Sequence, residues 1–280
     1  MSGTLYLCAT PIGNLEDITF RVLDTLKKVD IVAAEDTRHT LKLLNHYDIK
    51  AKLTSYHEHN KYEKAQVLVE ELLAGKDIAL VTDAGTPGIS DPGEELVKQC
   101  YEAGVKVTSL PGATALTVAL SMSGLSSRRF VFEGFLPSDK KERQAVLESL
   151  KEESRTIVIY EAPHRIRKTL AELLEALGPR QMRLLRELTK IHENVLAGTV
   201  EELCRHFEDT EPKGEMVLVI EGADTEALRQ KSIESFEQLT VKEHVEMLMS
   251  QGLSEKEAMK KAAAQRGLTK RDIYEELKIK

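Results

Sequence analysis

The chain has 280 residues, of which 41% are hydrophobic and 30% charged, and its formal net charge is −7. This length and composition predict two globular domains with ample core, and no apolar stretch approaches the ~20 residues that a membrane span needs. The acidic balance excludes a non-specific coat on nucleic acid but permits a local basic face.

The first half of the chain alternates apolar runs with amphipathic segments, which predicts strands and helices in turn. The predicted strands are Thr4–Thr10, Asp30–Asp36, Lys52–Tyr56, Ile78–Asp83 and Val105–Leu110. The predicted helices are Asp17–Val29, His39–Tyr47, Lys61–Leu73, Glu94–Ala103 and the small-residue segment Ala113–Leu120, which we expect to pack closely on the sheet. This order predicts an α/β domain, residues 1–124, with a mostly parallel sheet covered by helices on both faces.

Strands are denser in the second half, which predicts a domain over residues 125–224 with a mixed sheet. The predicted strands are Phe130–Glu133, Thr156–Tyr160, Met182–Leu188, Glu193–Gly198, a candidate antiparallel strand, and Met216–Ile220. The predicted helices are Lys140–Glu152, His164–Leu177 and Glu201–Glu208.

The last part of the chain, residues 225–280, predicts a small helical domain. Its helices are Val241–Ser250, Ser254–Arg266 and Thr269–Leu277, and the last two begin with capping-box sequences. Three short helices separated by glycines resemble a helix-turn-helix unit. Six basic residues lie on the last two helices: Lys256, Lys260, Lys261, Arg266, Lys270 and Arg271. They predict either an RNA-docking face or an ordinary solvated helix face.

The N-terminus and the cysteines predict a cytoplasmic protein. The first residues lack the charged and apolar regions of a signal peptide. Cys8, Cys100 and Cys204 lie far apart in apolar surroundings. We interpret them as buried thiols in a reducing compartment rather than as zinc ligands or disulfides.

Two loops rich in glycine and proline each follow a predicted strand, at 9–19 and 82–93. Glycine lets backbone approach a ligand closely, and proline limits the entropy lost on binding. Loops that follow neighbouring parallel strands meet at one edge of the sheet, so two such loops predict a ligand cavity there. The alternative is an ordinary strand-to-helix turn in which Asp91 caps the next helix and Pro92 occupies its first position.

Charged clusters follow other strands. Residues 35–39, Glu-Asp-Thr-Arg-His, predict either a substrate-facing group or a surface turn in which Asp36 or Thr37 caps a helix. His57 and His59 are more typical of a solvated loop than of a metal site. Residues 165–168 bring three basic side chains to one helix start, which fits phosphate contact or a plain capped helix equally well.

Eight motifs in order resemble the ribosomal RNA small subunit methyltransferase I family, which has the tetrapyrrole-methylase fold. They are Ala9–Leu15, Ala34–Arg38, Asp83–Gly93, Pro111–Leu116, Phe132–Leu136, Tyr160–Arg165, Arg186–Lys190 and Gly214–Met216. The resemblance implies two α/β domains with a cofactor cleft between them and a small C-terminal helical domain.

The resemblance also implies S-adenosylmethionine-dependent 2′-O-methylation of a decoding-site cytidine in 16S rRNA, within the 30S subunit, by a homodimer. By motif match, the cofactor-binding residues would be Pro11, Asp83, Ala84, Gly85, Ile89, Ser90, Gly112, Ala113, Thr114, Tyr160, Glu187, Leu188, Glu215 and Met216. No metal is expected.

The chemistry asks the protein mainly to align the ribose oxygen with an already activated methyl group. A carboxylate near the cavity is the natural acceptor of the hydroxyl proton, and the candidates are Glu35, Asp36 and Glu187. Candidates for contacts with neighbouring phosphates are Arg38, His164 and Arg165.

Two other functions stay open on the sequence alone. A tetrapyrrole (precorrin-type) C-methyltransferase would share the fold, and pigment bound on purification would indicate it. A non-catalytic RNA-binding or assembly protein would fail to bind S-adenosylmethionine. The basic tail and the cluster at 35–38 favour RNA methylation.

Overall fold

A five-stranded parallel sheet forms the first part of the computed structural model, which describes residues 2–228, 230 and 239–278. Its strands are β1 (Thr4–Cys8), β2 (Ile31–Ala34), β3 (Leu53–Ser55), β4 (Ile78–Val81) and β5 (Lys106–Leu110), in the order β3-β2-β4-β1-β5. The helices are α1 (Phe20–Lys28), α2 (Thr37–His46), α3 (Lys61–Leu73) and α4 (Glu94–Glu102). The strands and helices predicted for this region are confirmed, with shifts at their ends.

Helices cover both faces of this sheet, as predicted. Along β4, Ile78 and Leu80 join a core cluster with residues of α3 and α4. Ala79 and Val81 alternate to the other face, where they join residues of α1 and α2. Because both faces are covered, every residue of β2 and β4 is buried, and this explains their unbroken apolar sequences.

The second sheet is mixed, as predicted. Its strands are β6 (Phe130–Phe135), β7 (Thr156–Glu161), β8 (Gln181–Arg186), β9 (Asn194–Thr199) and β10 (Met216–Ile220), in the order β6-β7-β10-β8-β9. Only β6 and β7 pair in parallel, and β9 is antiparallel to β8, which confirms its predicted direction. Helices α6 (Lys140–Ser149), α7 (Ile166–Leu177) and α8 (Val200–Asp209) pack on one face of this sheet.

Helix α5 (Ala115–Met122) covers the other face of the second sheet. Ala119 and Leu120 pack against Val158 of β7 and Val217 of β10. The small residues of this helix predict close packing on the sheet of the first half of the chain, and that prediction is wrong about the sheet. The helix packs on the second sheet instead, against residues that lie far along the chain. This contact joins the two sheets around a common cleft.

The described part of the tail is a bundle of α9 (Val241–Ser250), α10 (Glu255–Arg266) and α11 (Lys270–Lys278). Both predicted capping boxes are confirmed: Ser254 and Glu257 bond reciprocally, and so do Thr269 and Asp272. Residues 229, 231–238, 279 and 280 of the predicted tail domain lie outside the described residues.

One of the six basic residues of the tail is structural. Arg266 donates from Nε to His244 Nδ1 at 3.0 Å and from Nη2 to the carbonyl of Thr240 at 3.1 Å. Its guanidinium therefore ties α10 to the start of α9, while the five lysine and arginine side chains predicted with it are exposed.

Two further predictions concern the cysteines and membrane spans. Cys8 and Cys100 are buried free thiols, as predicted, and Cys204 is a free thiol that is half-buried. Among the helices of the described residues, none combines the length and apolarity that a membrane crossing requires.

Candidate active site

The two loops rich in glycine and proline lie side by side, because β1 and β4 are neighbours in the sheet. Thr10 and Gly85 exchange two backbone hydrogen bonds, of 2.8 and 3.0 Å. The Thr10 hydroxyl also donates to the Thr82 carbonyl at 3.1 Å. The predicted meeting of these loops at the carboxyl edge of the sheet is confirmed.

The loop after β4 needs its special residues because its backbone turns sharply. Gly85, Gly88 and Ser90 all have positive φ, at 87°, 81° and 63°. The loop also touches the second sheet at a bulge in β6, where Gly134 has φ of 61°. A Cβ added to Gly134 would stand 2.7 Å from Ser90 Oγ, and the positive φ of Gly134 would strain any other residue, so glycine suits this contact.

A cavity of about 320 Å³ lies between the loops of the first sheet and the ends of β7 and β10. It is lined by Ile12, Glu35, Asp83, Ala84, Gly85, Thr86, Ile89, Ser90, Asp91, Thr114, Ala115, Phe135, Tyr160, Glu161, Ala162, Pro163, Leu188, Glu215, Met216 and Val217. Ten of the residues predicted to bind the cofactor are among them: Asp83, Ala84, Gly85, Ile89, Ser90, Thr114, Tyr160, Leu188, Glu215 and Met216. The motifs thus converge from both halves of the chain on one cavity.

Four residues of that prediction, Pro11, Gly112, Ala113 and Glu187, are not among the lining residues. A Cβ on Gly112 would stand 2.5 Å from the Cβ of Ala9, so this glycine lets two loops pack closely. The Ala113 carbonyl accepts a hydrogen bond of 3.0 Å from Thr86. Gly112 and Ala113 therefore hold together loops that border the cavity.

Glu187 braces the wall formed by the second domain. Its backbone has a positive φ of 52°. Its carboxylate accepts from Lys190 Nζ at 3.0 Å and from the backbone N–H of Glu215 at 3.3 Å. The hydrogen bond from Lys190 lowers the pKa of this carboxyl, which holds it ionised in its ion pair.

Glu35 lines the cavity, whereas Asp36 does not. The Asp36 side chain accepts from the backbone N–H of Arg38 at 2.8 Å as the N-cap of α2 and forms an ion pair with its guanidinium at 2.7 Å. These hydrogen bonds hold the pKa of Asp36 well below its usual range. The helix-cap alternative is therefore confirmed for Asp36, and the Arg38 side chain is largely exposed.

Glu35 and Asp83 clamp the loops after β2 and β4 to each other. The Asp83 backbone N–H donates to Glu35 Oε2 at 3.3 Å, and the Asp36 N–H donates to Asp83 Oδ1 at 3.2 Å. Burial raises the pKa of the Glu35 carboxyl, although the hydrogen bond from Asp83 opposes that shift.

The alternative interpretation of Asp91 as a helix cap is wrong. Helix α4 begins at Glu94 with Gly93 as its N-cap, and no side chain caps it. The Asp91 carboxyl instead lines the cavity. Burial raises its pKa to about 7, and the negative charges of Glu35 and Asp83 contribute to the shift. Asp91 lies inside the loop motif 83–93, but a sequence that fits a helix cap does not indicate a cavity carboxyl.

Tyr160 connects the two domains at the cavity. Its hydroxyl accepts from the backbone N–H of Leu116, in the first turn of α5, at 2.8 Å. Its ring meets Phe132 edge-on, with centroids 4.9 Å apart. Burial raises the pKa of Tyr160 to about 12, so the phenol stays protonated at neutral pH.

The start of α7 is mostly structural. Arg165 donates to the Leu136 carbonyl at 2.6 Å and lies 3.4 Å from the buried carboxylate of Glu161. Arg167 donates to the Phe207 carbonyl at 2.7 Å. His164 is exposed, so it and Arg38 are the predicted phosphate contacts whose side chains lie open to solvent.

The lining combines negative charge with apolar surface. Five of the lining residues are acidic: Glu35, Asp83, Asp91, Glu161 and Glu215. The Glu161 carboxylate is itself fully buried and lies 3.4 Å from Arg165. The described lining residues include no lysine, arginine or histidine. The cavity therefore suits a ligand with positive charge and a flat or apolar part. Within the described residues, no group of three histidine, cysteine or acidic side chains is arranged to hold a metal ion.

Comparisons with known proteins agree with this arrangement. The family model of the tetrapyrrole (corrin/porphyrin) methylases matches residues 4–204. A Bacillus subtilis (strain 168) protein named ribosomal RNA small subunit methyltransferase I is 49% identical over 278 residues, which cover 99% of this chain and 95% of that protein. A protein of the same name from Synechocystis sp. (strain ATCC 27184 / PCC 6803 / Kazusa) is 49% identical over 274 residues, which cover 98% of this chain and 96% of that protein.

Solved structures share the fold at low identity. Uroporphyrin-III-C-methyltransferase from Thermus thermophilus matches with a TM-score of 0.55 and 22% identity, over 78% of this chain and 94% of its own. A diphthine synthase matches with a TM-score of 0.60 and 13% identity, over 78% of this chain and 90% of its own. Both likenesses concern the fold alone.

Proposed function

We propose that this chain, which belongs to the tetrapyrrole (corrin/porphyrin) methylase family and to the ribosomal RNA small subunit methyltransferase I family, is a ribose methyltransferase. Its proposed target is the 2′-oxygen of a decoding-site cytidine in 16S rRNA. Its membership makes it an rRNA methyltransferase, as the resemblance predicted. The observation that carries the choice of a hydroxyl acceptor is the carboxylate-lined cavity. A hydroxyl must lose a proton as it is methylated, and carboxylates can accept that proton.

S-adenosylmethionine is the methyl donor that we propose for this cavity. When bound, it supplies a methyl group activated by a positively charged sulfur. That charge and the ammonium group suit a lining that has acidic residues such as Glu35 and Asp83 and, among the residues that the structure describes, no cationic side chain. The apolar residues Ile12, Ile89 and Met216 suit the purine. The residues that would hold it are the ten cofactor candidates that line the cavity, supported by the packing of Gly112 and by the hydrogen bonds of Ala113 and Glu187.

The protein's main contribution to the transfer would be alignment. An in-line displacement needs the ribose oxygen, the methyl carbon and the sulfur held in one line. The clamp between Glu35 and Asp83 and the hydrogen bond from Leu116 to Tyr160 fix the cavity walls from both domains. A rigid cavity limits the entropy that is lost when the acceptor binds.

The RNA would approach over the exposed basic side chains near the cavity and on the tail. Arg38 and His164 are exposed at the rim loops, and the tail exposes Lys256, Lys260, Lys261, Lys270 and Arg271. Removing residues 239–280 is expected to weaken RNA binding several-fold and to spare binding of the methyl donor. Calorimetry and filter binding measure the two affinities separately, and loss of both would show that the bundle is structural.

The experiment that tests the function is methyl transfer from labelled S-adenosylmethionine to 30S subunits that lack the modification, followed by nucleoside analysis. Label in 2′-O-methylcytidine is expected, and subunits that already carry the modification should take up none. Label in another nucleoside would contradict the proposed atom. Transfer to a tetrapyrrole but not to RNA would favour the C-methyltransferase alternative, which shares this fold.

We further propose that the enzyme works in the cytoplasm, where its ribosomal substrate is found, and as a homodimer. The dimer follows from the family resemblance, and analytical ultracentrifugation of the full chain tests it.

A further inference from the structure

The segment 88–93 holds Asp91 away from the position that its sequence favours. In Ser-Asp-Pro-Gly, the aspartate would ordinarily cap a helix whose first residue is the proline. Here α4 starts two residues later with an uncapped Gly93, and Ser90 adopts a positive φ of 63°. A left-handed serine is unfavourable, so the segment forgoes a cap and accepts backbone strain. The outcome is a carboxyl group inside the cavity.

Asp91 is also the lining carboxyl without a partner. Glu35 and Asp83 accept backbone N–H groups from each other's loops. Glu161 accepts from a threonine hydroxyl, and Glu215 lies 3.3 Å from a lysine ammonium. Within the described part of the chain, the Asp91 side chain makes neither a hydrogen bond nor an ion pair. Its oxygens are therefore free to accept a proton from a bound molecule.

The groups that face Asp91 make it a ready proton acceptor near neutral pH. Glu35 at the end of β2 and Asp83 after β4 are negatively charged neighbours, and the Tyr160 phenol on β7 is neutral. Among the described residues that line the cavity, none has a cationic side chain that would hold Asp91 permanently ionised. Its pKa of about 7 lies where a general base works best.

We propose that Asp91 is the catalytic residue that accepts the 2′-hydroxyl proton during methyl transfer, an inference that rests on the proposed function. The ribose oxygen forms its bond to the methyl carbon as the carbon–sulfur bond breaks, and that electron pair remains on sulfur in a neutral thioether. The hydroxyl proton passes to an Asp91 carboxylate oxygen and from there to water. Glu35, Asp36 and Glu187, the carboxylates favoured by the sequence, hold loops in place instead.

The test compares Asp91→Asn with Asp24→Asn, which makes the same change at an exposed position of α1. Binding of S-adenosylmethionine is measured by calorimetry, and single-turnover transfer to 30S subunits is measured between about pH 5 and pH 9. Asp91→Asn is expected to lose 10²- to 10⁴-fold in rate, roughly the value of a general base, with the affinity for the donor within about threefold of wild type. The Asp24→Asn variant should match wild type in both measurements.

Two further readouts distinguish a base from a structural residue. The wild-type rate should rise with pH and then level off, and the residual rate of Asp91→Asn should lack that rise. In the cofactor-free protein, one carboxyl carbon resonance should titrate near neutral pH, and it should be missing from the Asp91→Asn spectrum.

Three outcomes would overturn these assignments, and they differ from one another. If Asp91→Asn lost donor affinity in step with rate, Asp91 would bind the donor rather than accept the proton. If wild type labelled the ribose and Asp91→Asn were equally active, only the inference would fail. If wild type labelled no ribose, the proposed function would fail, and the inference with it.

Discussion

Replacing Asp91 with asparagine should stabilise the fold at high pH and not at low pH. The native state raises the pKa of this carboxyl from 3.8 to about 7, so it binds the proton more tightly than the unfolded chain does. The linked stability is therefore fully present below pH 3.8 and is lost as the pH rises toward 7. Asparagine has no carboxyl group to ionise, so the difference in the free energy of unfolding between the variant and wild type should grow with pH.

The magnitude follows from the size of the shift. Raising the pKa of the Asp91 carboxyl from 3.8 to about 7 corresponds to about 4 kcal/mol, because a change of one in pKa is worth about 1.36 kcal/mol. Because Asp91 is only half-buried, solvent screening reduces this to about 2 kcal/mol. Urea unfolding of Asp91→Asn and wild type at about pH 4 and about pH 8.5 measures the change directly.

The matched Asp24→Asn variant should stay within about 0.5 kcal/mol of wild type at both pH values, because its side chain is exposed. If Asp91→Asn gained no stability at high pH, the buried charge of Asp91 would not destabilise the fold. A gain of equal size at both pH values would also contradict this prediction, because the cause would then be packing and not the buried charge.

Three other predictions concern the cavity and the tail. Gly134→Ala would place a Cβ 2.7 Å from Ser90 Oγ, at a φ of 61°, so we expect about 1–3 kcal/mol of destabilisation in urea and weaker donor binding by calorimetry. Tyr160→Phe removes the acceptor of the Leu116 N–H and should cost about 1–2 kcal/mol in the same unfolding assay, whereas an unchanged midpoint would contradict the bridging role. Burial lowers the pKa of His244 below 6.5, so the tail bundle should lose stability as the pH falls below 6.5. Far-UV circular dichroism melts of wild type and His244→Gln at about pH 5 and pH 8 measure this loss as the difference between the two proteins, because Asp91 contributes its own pH dependence to both.

The sequence predicted most of the fold because each signal it used is local. Buried parallel strands give unbroken apolar runs such as Ile78–Val81, and Ser254 with Glu257 marks a helix start through its own hydrogen bonds. Local signals do not predict which of the two sheets α5 packs on. Its small residues indicate close packing, but the choice between two sheets depends on contacts with Val158 and Val217, which lie far along the chain.

The position of the cavity was predictable for a similar reason. Parallel strands bring their following loops to one edge, so two glycine-proline loops after β1 and β4 were expected to meet there. The chemistry of individual carboxylates was not predictable, because it depends on partners that the sequence does not place together. Asp36 stands beside Glu35 in the chain, yet one caps a helix and the other lines the cavity.

At Asp91 the local preference of an aspartate before a proline to cap a helix does not hold. Asp91 followed by Pro92 favours a helix cap, and a cap at this position would add about 1 kcal/mol of stability. The structure instead starts the helix late, strains Ser90 and leaves the carboxyl unpaired beside two others. Proteins retain such local conflicts mainly where function requires them. This departure from the expected helix cap is therefore the reason to test Asp91 before Glu35, Asp36 and Glu187, whose carboxylates make hydrogen bonds that hold loops or a helix start in place.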